Sequence, residues 1–328
     1  RNHEHAIWMA QTGLIVPGRP TLGAWAAYGL GTVNQNLPAY VALPDPAGHS
    51  VDGVRNWSSG WLPPVYQGTA FRSEGTPVLN LRPTIEKARS VRSGKLDLLR
   101  SLNAGHKQRH PRELDLDARI TNLELAARMQ LAATEAMDIT RETSATHAMY
   151  GIDKGVTASY GKRCLMARRL VERGVTFVTL IDPGVGLSSS GWDFHKTLEA
   201  HTKTASPPMD LAITTLINDL HERGLAKKVL VVVWGEFGRT PKINGNGGRD
   251  HWANVQSVML AGGNYRHGQV IGSSNAKGEV PHDRPLWPYD VVATMYHHLG
   301  IDPRFTPITG ATRTRPLLER GEVISELL

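Results

Sequence analysis

The stretch Val229-Leu230-Val231-Val232-Val233-Trp234-Gly235-Glu236-Phe237-Gly238-Arg239-Thr240-Pro241 decides the fold class. Its first six residues are apolar, mostly β-branched, and end at a glycine. That pattern reads as a buried strand running into a turn that carries ionisable groups. The alternation continues outward. On the N-terminal side lie a strand over Val175–Ile181 and a helix over Met209–Arg223, stopped by Gly224. On the C-terminal side lie a strand over Val255–Ala261, a short one at Gln269–Ile271, and a helix over Pro288–Leu299 that ends at Gly300. Apolar strands alternating with helices predict an α/β fold whose mostly parallel sheet is covered by helices on both faces.

Further out the pattern changes. Residues 84–139 are helical in two segments, Ile85–Leu102 and Leu114–Met137, which predict a helical hairpin laid on the body. This excursion, taken as 84–150, sits within one domain spanning 1–328. Tyr160–Arg173 predicts an amphipathic helix closed by Gly174. The first 80 residues read as short helices over Ala6–Gln11 and Thr21–Gly29, a strand at Tyr40–Leu43, and a long ordered loop over 45–80. Trp57, Trp61, Tyr66 and Phe71 pin that loop.

Composition works by exclusion. At 40% hydrophobic residues the chain is not disordered. The 328 residues carry 37 Lys+Arg against 30 Asp+Glu, a net charge of +7. Nine basic residues and two acids fall between Arg82 and Arg112, so this segment holds the whole net charge and the rest is balanced. Nucleic acid is therefore not the expected partner. The segment lacks interleaved aromatics and reads as a solvated face rather than a patch for an anionic polymer. The single cysteine, Cys164, permits no internal disulfide and no cysteine-rich metal site; on its helix it reads as a small buried hydrophobe. No run of about 18 apolar residues is present to span a membrane.

In open α/β sheets, ligands bind beyond the carboxyl ends of the strands. Three connections there carry chemistry. Gly191-Trp192-Asp193-Phe194-His195 supplies Asp193 and His195; the opening stretch supplies Glu236 and Arg239; Gly248-Arg249-Asp250-His251-Trp252 supplies Asp250 and His251. Singly, each has a plain structural use. An Asp-x-His loop is commonly a turn with a surface histidine, and Glu236, Arg239 and Asp250 can pair with one another or with Arg249. Their joint occurrence after successive strands points to a hydrolytic metal site. Imidazole plus carboxylate suits a divalent metal ion such as Zn²⁺, Mn²⁺ or Fe, with Zn²⁺ or Mn²⁺ favoured; more oxygen ligands shift the site toward Ca²⁺ or Mg²⁺. Arg239 has the fork geometry to clamp a tetrahedral oxyanion.

These motifs, with Leu260-Ala261-Gly262-Gly263, Ala293–Ile301, Asn36-Leu37-Pro38, Trp57-Ser58-Ser59-Gly60, Tyr66-Gln67-Gly68-Thr69 and Leu96-Asp97-Leu98-Leu99, resemble the sulfatase-like family called domain of unknown function 1501. That family is placed in the alkaline phosphatase/sulfatase superfamily, and the resemblance covers nearly the whole chain. It implies a three-layer alkaline phosphatase-like fold and metal-dependent hydrolysis of sulfate or phosphate esters, on a small molecule or a sulfated glycan. Asp193 and His195 then resemble the ligands of one metal, His251 a late histidine returning to it, and Glu236 the acid of a second metal. Phe237 stands where a histidine partner belongs, so a second site needs Asp250 or another residue.

The resemblance further implies a first strand with a metal-binding Asp, then a hydroxyl or thiol nucleophile at a helix start. Trp8–Gly13 resembles the end of that helix, which places the strand before Arg1. No hydroxyl or thiol stands at Asn2–His5, so a chain lacking its front end is the expectation. His3 and His5 are either replacement ligands at spacing two or, as is commoner, mobile terminal histidines. The alternative to a hydrolase is a catalytically incomplete anion- or glycan-binding module. Export is expected if the full-length chain carries the family's usual N-terminal signal.

Three other features complete the reading. His201 is either a substrate contact or a bystander. His297-His298 reads as an interior or interface pair. Gly245-Asn246-Gly247-Gly248 reads as a flexible approach to Asp250 and His251.

Overall fold

Tyr40–Leu43 (β1) is buried along its whole length. It pairs in parallel with Thr69–Ala70 (β2) on one side and Phe177–Leu180 (β3) on the other. The structure is a computed structural model that describes residues 2–46, 51–78, 89–110, 114–182, 191–306 and 315–328. The start of the helix expected at Ile85 and the Gly/Ser loop over 183–190 lie outside the described residues.

The helices follow their caps. His3–Thr12 (α1) begins at Asn2, whose side chain accepts from the Glu4 amide, and ends at Gly13 in the left-handed conformation. Leu22–Leu30 (α2) follows, then the hairpin of Arg89–Arg109 (α3) and Leu114–Met137 (α4). Arg100 Nε joins the two by donating to Glu124 at 2.9 Å. Ser144–Met149 (α5) leads to Gly155–Glu172 (α6), which packs on Leu198–Glu222 (α7). Gly161 permits a close crossing, because a Cβ there would lie 1.9 Å from the Tyr150 carbonyl oxygen. The helix expected from Met209 thus starts at Leu198. Pro207 and Pro208 lie inside it, each removing a backbone donor, and they hide its continuity in the sequence.

The expected mostly parallel sheet is corrected by the second half of the chain. Leu230–Val233 (β4) pairs antiparallel with Met259–Gly262 (β7), in register Leu230↔Gly262 through Val233↔Met259. Between them lie two-residue strands Gly238–Arg239 (β5) and His251–Trp252 (β6), paired antiparallel. Ser273–Ser274 (β8) pairs with Pro281–Asp283 (β9), and Pro288–His298 (α8) is the last helix. No strand forms at Gln269–Ile271, where Val270 is 95% exposed. An apolar run specifies burial but not the direction of its partner, which is why the antiparallel pairing is invisible in Val229–Trp234.

Among the described residues β3 and β4 are not hydrogen-bonded to each other. They nevertheless share both helical layers. Leu180 and Val233 pack on the cluster built by α6 and α7 around Tyr160, Cys164, Leu165 and Ile213. Phe177 and Trp234 pack on the opposite cluster, built by α2 and α8 around Trp25, Val292 and Tyr296. Both strands are half-buried rather than buried, the second departure from the expected sheet. A third cluster joins α4 (Met129, Ala133, Ala136) to β1 and to Met166 and Leu170 of α6.

The amphipathic α6 buries more than apolar groups. Arg163, Arg168 and Arg169 are all buried. Arg168 donates to Glu142 (2.8 Å), Glu172 (2.6 Å) and Asp219 (3.0 Å). Asp219 also accepts from the Tyr150 hydroxyl at 2.8 Å. Full pairing is what makes such buried charge tolerable. No described helix is long and apolar enough to cross a membrane.

Candidate metal centre

The β5–β6 ladder places Arg239 directly opposite His251. A second scaffold holds the loop that carries Asp193 and His195. Asn244 donates to the His195 carbonyl (3.0 Å) and to Asp250 Oδ1 (3.1 Å). Its own Oδ1 accepts from the Asn246 and Gly248 amides, at 2.9 and 3.1 Å. The Arg249 amide donates to the Phe194 carbonyl at 2.9 Å. A Cβ on Gly248 would lie 2.0 Å from the His195 carbonyl carbon, so only glycine fits this crossing. The Gly245–Gly248 loop, expected as a flexible approach, is a tied template.

On this frame the side chains converge on one oxygen. His251 Nε2 lies 3.0 Å and His195 Nε2 3.1 Å from Asp193 Oδ1, and the two Nε2 atoms are 3.0 Å apart. His3 arrives from the first turn of α1, with Nε2 3.4 Å from Asp193 Oδ2. Ligand atoms of His3, Asp193 and His251 all lie within 4.8 Å of one another. His3 is 23% exposed and held between Asp193 and Glu236, so the expectation of a mobile terminal histidine is corrected. His5 turns away and packs on Trp8.

The two remaining carboxylates stand behind imidazoles. Glu236 Oε1 is 2.6 Å from His3 Nδ1, and Asp250 Oδ1 is 2.8 Å from His195 Nδ1. A neutral histidine whose Nδ1–H donates to a carboxylate leaves Nε2 as an acceptor. In that tautomer His3 and His195 would each turn an Nε2 acceptor toward Asp193, whose Oδ1 the Arg239 guanidinium also meets.

Burial opposes the charged form of Asp193, yet the Arg239 guanidinium and His251 hold its carboxyl below the usual carboxylate range. Hydrogen bonds from His195 and Asn244 do the same for Asp250. Arg239 Nη1 is 2.5 Å from Asp193 Oδ1, but the alignment is poor for a hydrogen bond, so the contact is an ion pair. Phe237 packs its ring on His251 (4.5 Å) and His3 (5.0 Å), walling the site where a histidine ligand was expected.

The structure thus brings Asp193, His195, Glu236, Arg239, Asp250 and His251 together and adds His3. It leaves other candidates outside. His201 packs on Phe194 and the Thr197 hydroxyl. His298 faces the Lys228 carbonyl, and burial lowers its pKa. Cys164 is buried against α7, and burial pushes its thiol up to about 12, which removes it as a nucleophile.

No curated protein and no solved structure matches the chain. A family model does: residues 1–328 match the family described as "Protein of unknown function (DUF1501)", and the chain belongs to that family.

Proposed function

We propose that the protein is a metal-dependent hydrolase of sulfate or phosphate esters. The observation that carries this reading is the paired carboxylate–imidazole arrangement: Glu236 behind His3 and Asp250 behind His195, both Nε2 atoms turned toward Asp193. Carboxylates that orient histidines from behind are characteristic of metal sites. Asp193, His251 and His3 would hold one divalent cation, with His195 beside them. The imidazole-rich set suits Zn²⁺ or Mn²⁺ better than Ca²⁺ or Mg²⁺. Helices on both faces of the strands support the three-layer alkaline phosphatase-like reading.

A cation bound there supplies Lewis-acid polarisation of a sulfuryl or phosphoryl oxygen. The chain's own residues do the rest. Arg239 offers its fork to the tetrahedral oxyanion and stabilises charge on the transferred group. Glu236 and Asp250 fix the tautomers of His3 and His195. Phe237 keeps water from one side of His3 and His251. A second reading, a binding module for anionic glycans, is favoured by the openness of the rim, where His195 is 38% and Asp250 53% exposed.

Elemental analysis of protein grown in metal-supplemented medium should find about one tightly held divalent ion per chain, lost in His251→Ala. Hydrolysis of aryl sulfates and of phosphate mono-, di- and triesters should disappear with chelator and in Asp193→Ala. Metal-free wild-type protein sinks the proposal; sulfated-glycan binding without turnover establishes the module instead.

A further inference from the structure

We propose that Arg239 is a built-in competitor of the cation for Asp193: their pairing lowers metal affinity, and metal binding releases the guanidinium toward an anion. This inference rests on the metal-site reading above and deepens it by stating what controls loading of that site.

Four groups meet the Asp193 carboxylate. His251 Nε2 (3.0 Å), His195 Nε2 (3.1 Å) and Arg239 Nη1 (2.5 Å) all reach Oδ1, and His3 Nε2 lies 3.4 Å from Oδ2. Three of the four are imidazoles, which can give a lone pair to a cation. Arg239 cannot, because a guanidinium stays charged and offers only donors. It therefore brings a positive charge to the one carboxylate in the cluster of His3, Asp193 and His251.

The pairing lacks the marks of a structural clamp. Arg239 Nη1 is buried without an aligned hydrogen bond, whereas the structural Arg168 donates to Glu142, Glu172 and Asp219. The guanidinium lies 5.6 Å from the Phe237 ring centroid, within cation–π range. The ladder to His251 fixes the Arg239 backbone, so release needs only a side-chain movement. At 21% exposure for Arg239 and 22% for Asp193, the pair is partly desolvated and outweighs one in open solvent.

Competition follows from charge. A divalent cation on Asp193 must displace the guanidinium or bind against its positive charge, and either lowers its affinity. Displacement frees the fork for a tetrahedral anion. Cation and anion should then bind cooperatively, each raising the affinity of the other by the same factor. A purely structural arginine predicts the opposite sign, since its loss would loosen the frame and weaken metal binding.

The test is titration of Zn²⁺ against a chromophoric chelator, without and with sulfate, for wild type, Arg239→Gln and Arg239→Lys. Arg239→Gln should bind Zn²⁺ about tenfold more tightly than wild type. Arg239→Lys keeps the charge and should stay close to wild type. Sulfate should raise Zn²⁺ affinity in wild type and do so less in Arg239→Gln. Circular dichroism checks that each variant keeps its helix content.

Zn²⁺ held by wild type, with unchanged or weaker affinity in Arg239→Gln, overturns this inference and leaves the metal site standing. Tightening in Arg239→Lys as large as in Arg239→Gln also overturns it, because charge is then not the cause. The sulfate arm needs no variant: no effect on wild type overturns the release of Arg239. Wild type that takes up no Zn²⁺ overturns the metal site and this inference with it.

Discussion

Glu236→Gln and Asp250→Asn separate carboxylates that orient imidazoles from carboxylates that bind a cation directly. In the structure each stands on the Nδ1 side of a histidine, at 2.6 and 2.8 Å, and not at the convergence point. Removing such a partner costs about 10- to 100-fold in metal affinity. The two should fall at opposite ends of that range. Glu236 is 26% exposed, so its charge is poorly replaced by solvent, and a loss of about 100-fold is expected. Asp250 is 53% exposed and Asn keeps an acceptor for His195, so a loss of about tenfold is expected. Competition for Zn²⁺ against a chromophoric chelator at neutral pH measures both, with His251→Ala as the reference for a lost ligand. Wild-type affinity in both variants would refute the inward presentation of the imidazoles. A loss as deep as that of His251→Ala in either would make that carboxylate a direct ligand.

Two stability predictions concern the arginine network. Asp219→Ala strips Arg168, Arg223 and the Tyr150 hydroxyl of a shared acceptor; calorimetry should show a loss of about 3–5 kcal/mol, or roughly 4–7 °C for a chain of 328 residues. Burial disfavours charge on Glu142, but Arg168 and Arg169 overcome it and hold the carboxyl below the usual range. Its contribution is therefore complete above the ordinary glutamate value, about 4.3, and lost as pH falls through the lower folded-state value. The stability gap between wild type and Glu142→Gln, read from urea midpoints, should narrow below about pH 4; a gap constant with pH counts against this.

What was legible in the sequence is what one segment decides by itself. β1 and β4, the α3–α4 hairpin, and the Gly-closed ends of α1 and α7 follow from apolar period and caps. What a strand pairs with is a property of two segments, so the antiparallel β4–β7 ladder and the separation of β3 from β4 were not legible. The same limit hides Arg163, Arg168 and Arg169. An amphipathic pattern puts arginines in water, and only the distant acids Asp45, Glu142 and Asp219 bring them inside. At the site, the residues that follow successive strands come together in the structure. Their division into inner bases and outer carboxylates was not legible, because spacing does not say which ring nitrogen faces which group. His3 was one of two open readings, and its strongest signal lies elsewhere in the chain, at Glu236.

The position of the centre gives it a second consequence. Asp193 follows β3, whereas Glu236, Arg239 and His251 belong to the chain around β4. The contacts of His251 and Arg239 with Asp193, and of His3 with both Asp193 and Glu236, therefore cross between two strands that share helical layers but no ladder hydrogen bonds. A cation held by Asp193 and His251 would tie the two sheets at their carboxyl ends. Binding to the native state alone at 100 times Kd adds about 2.7 kcal/mol, or roughly 4 °C for this chain length. Mass action alone raises global stability without choosing a place. A tie adds local protection, so hydrogen exchange in β3 and β4 should slow on Zn²⁺ addition more than in the remote α3–α4 hairpin. Equal slowing everywhere would leave stabilisation by mass action and refute the tie.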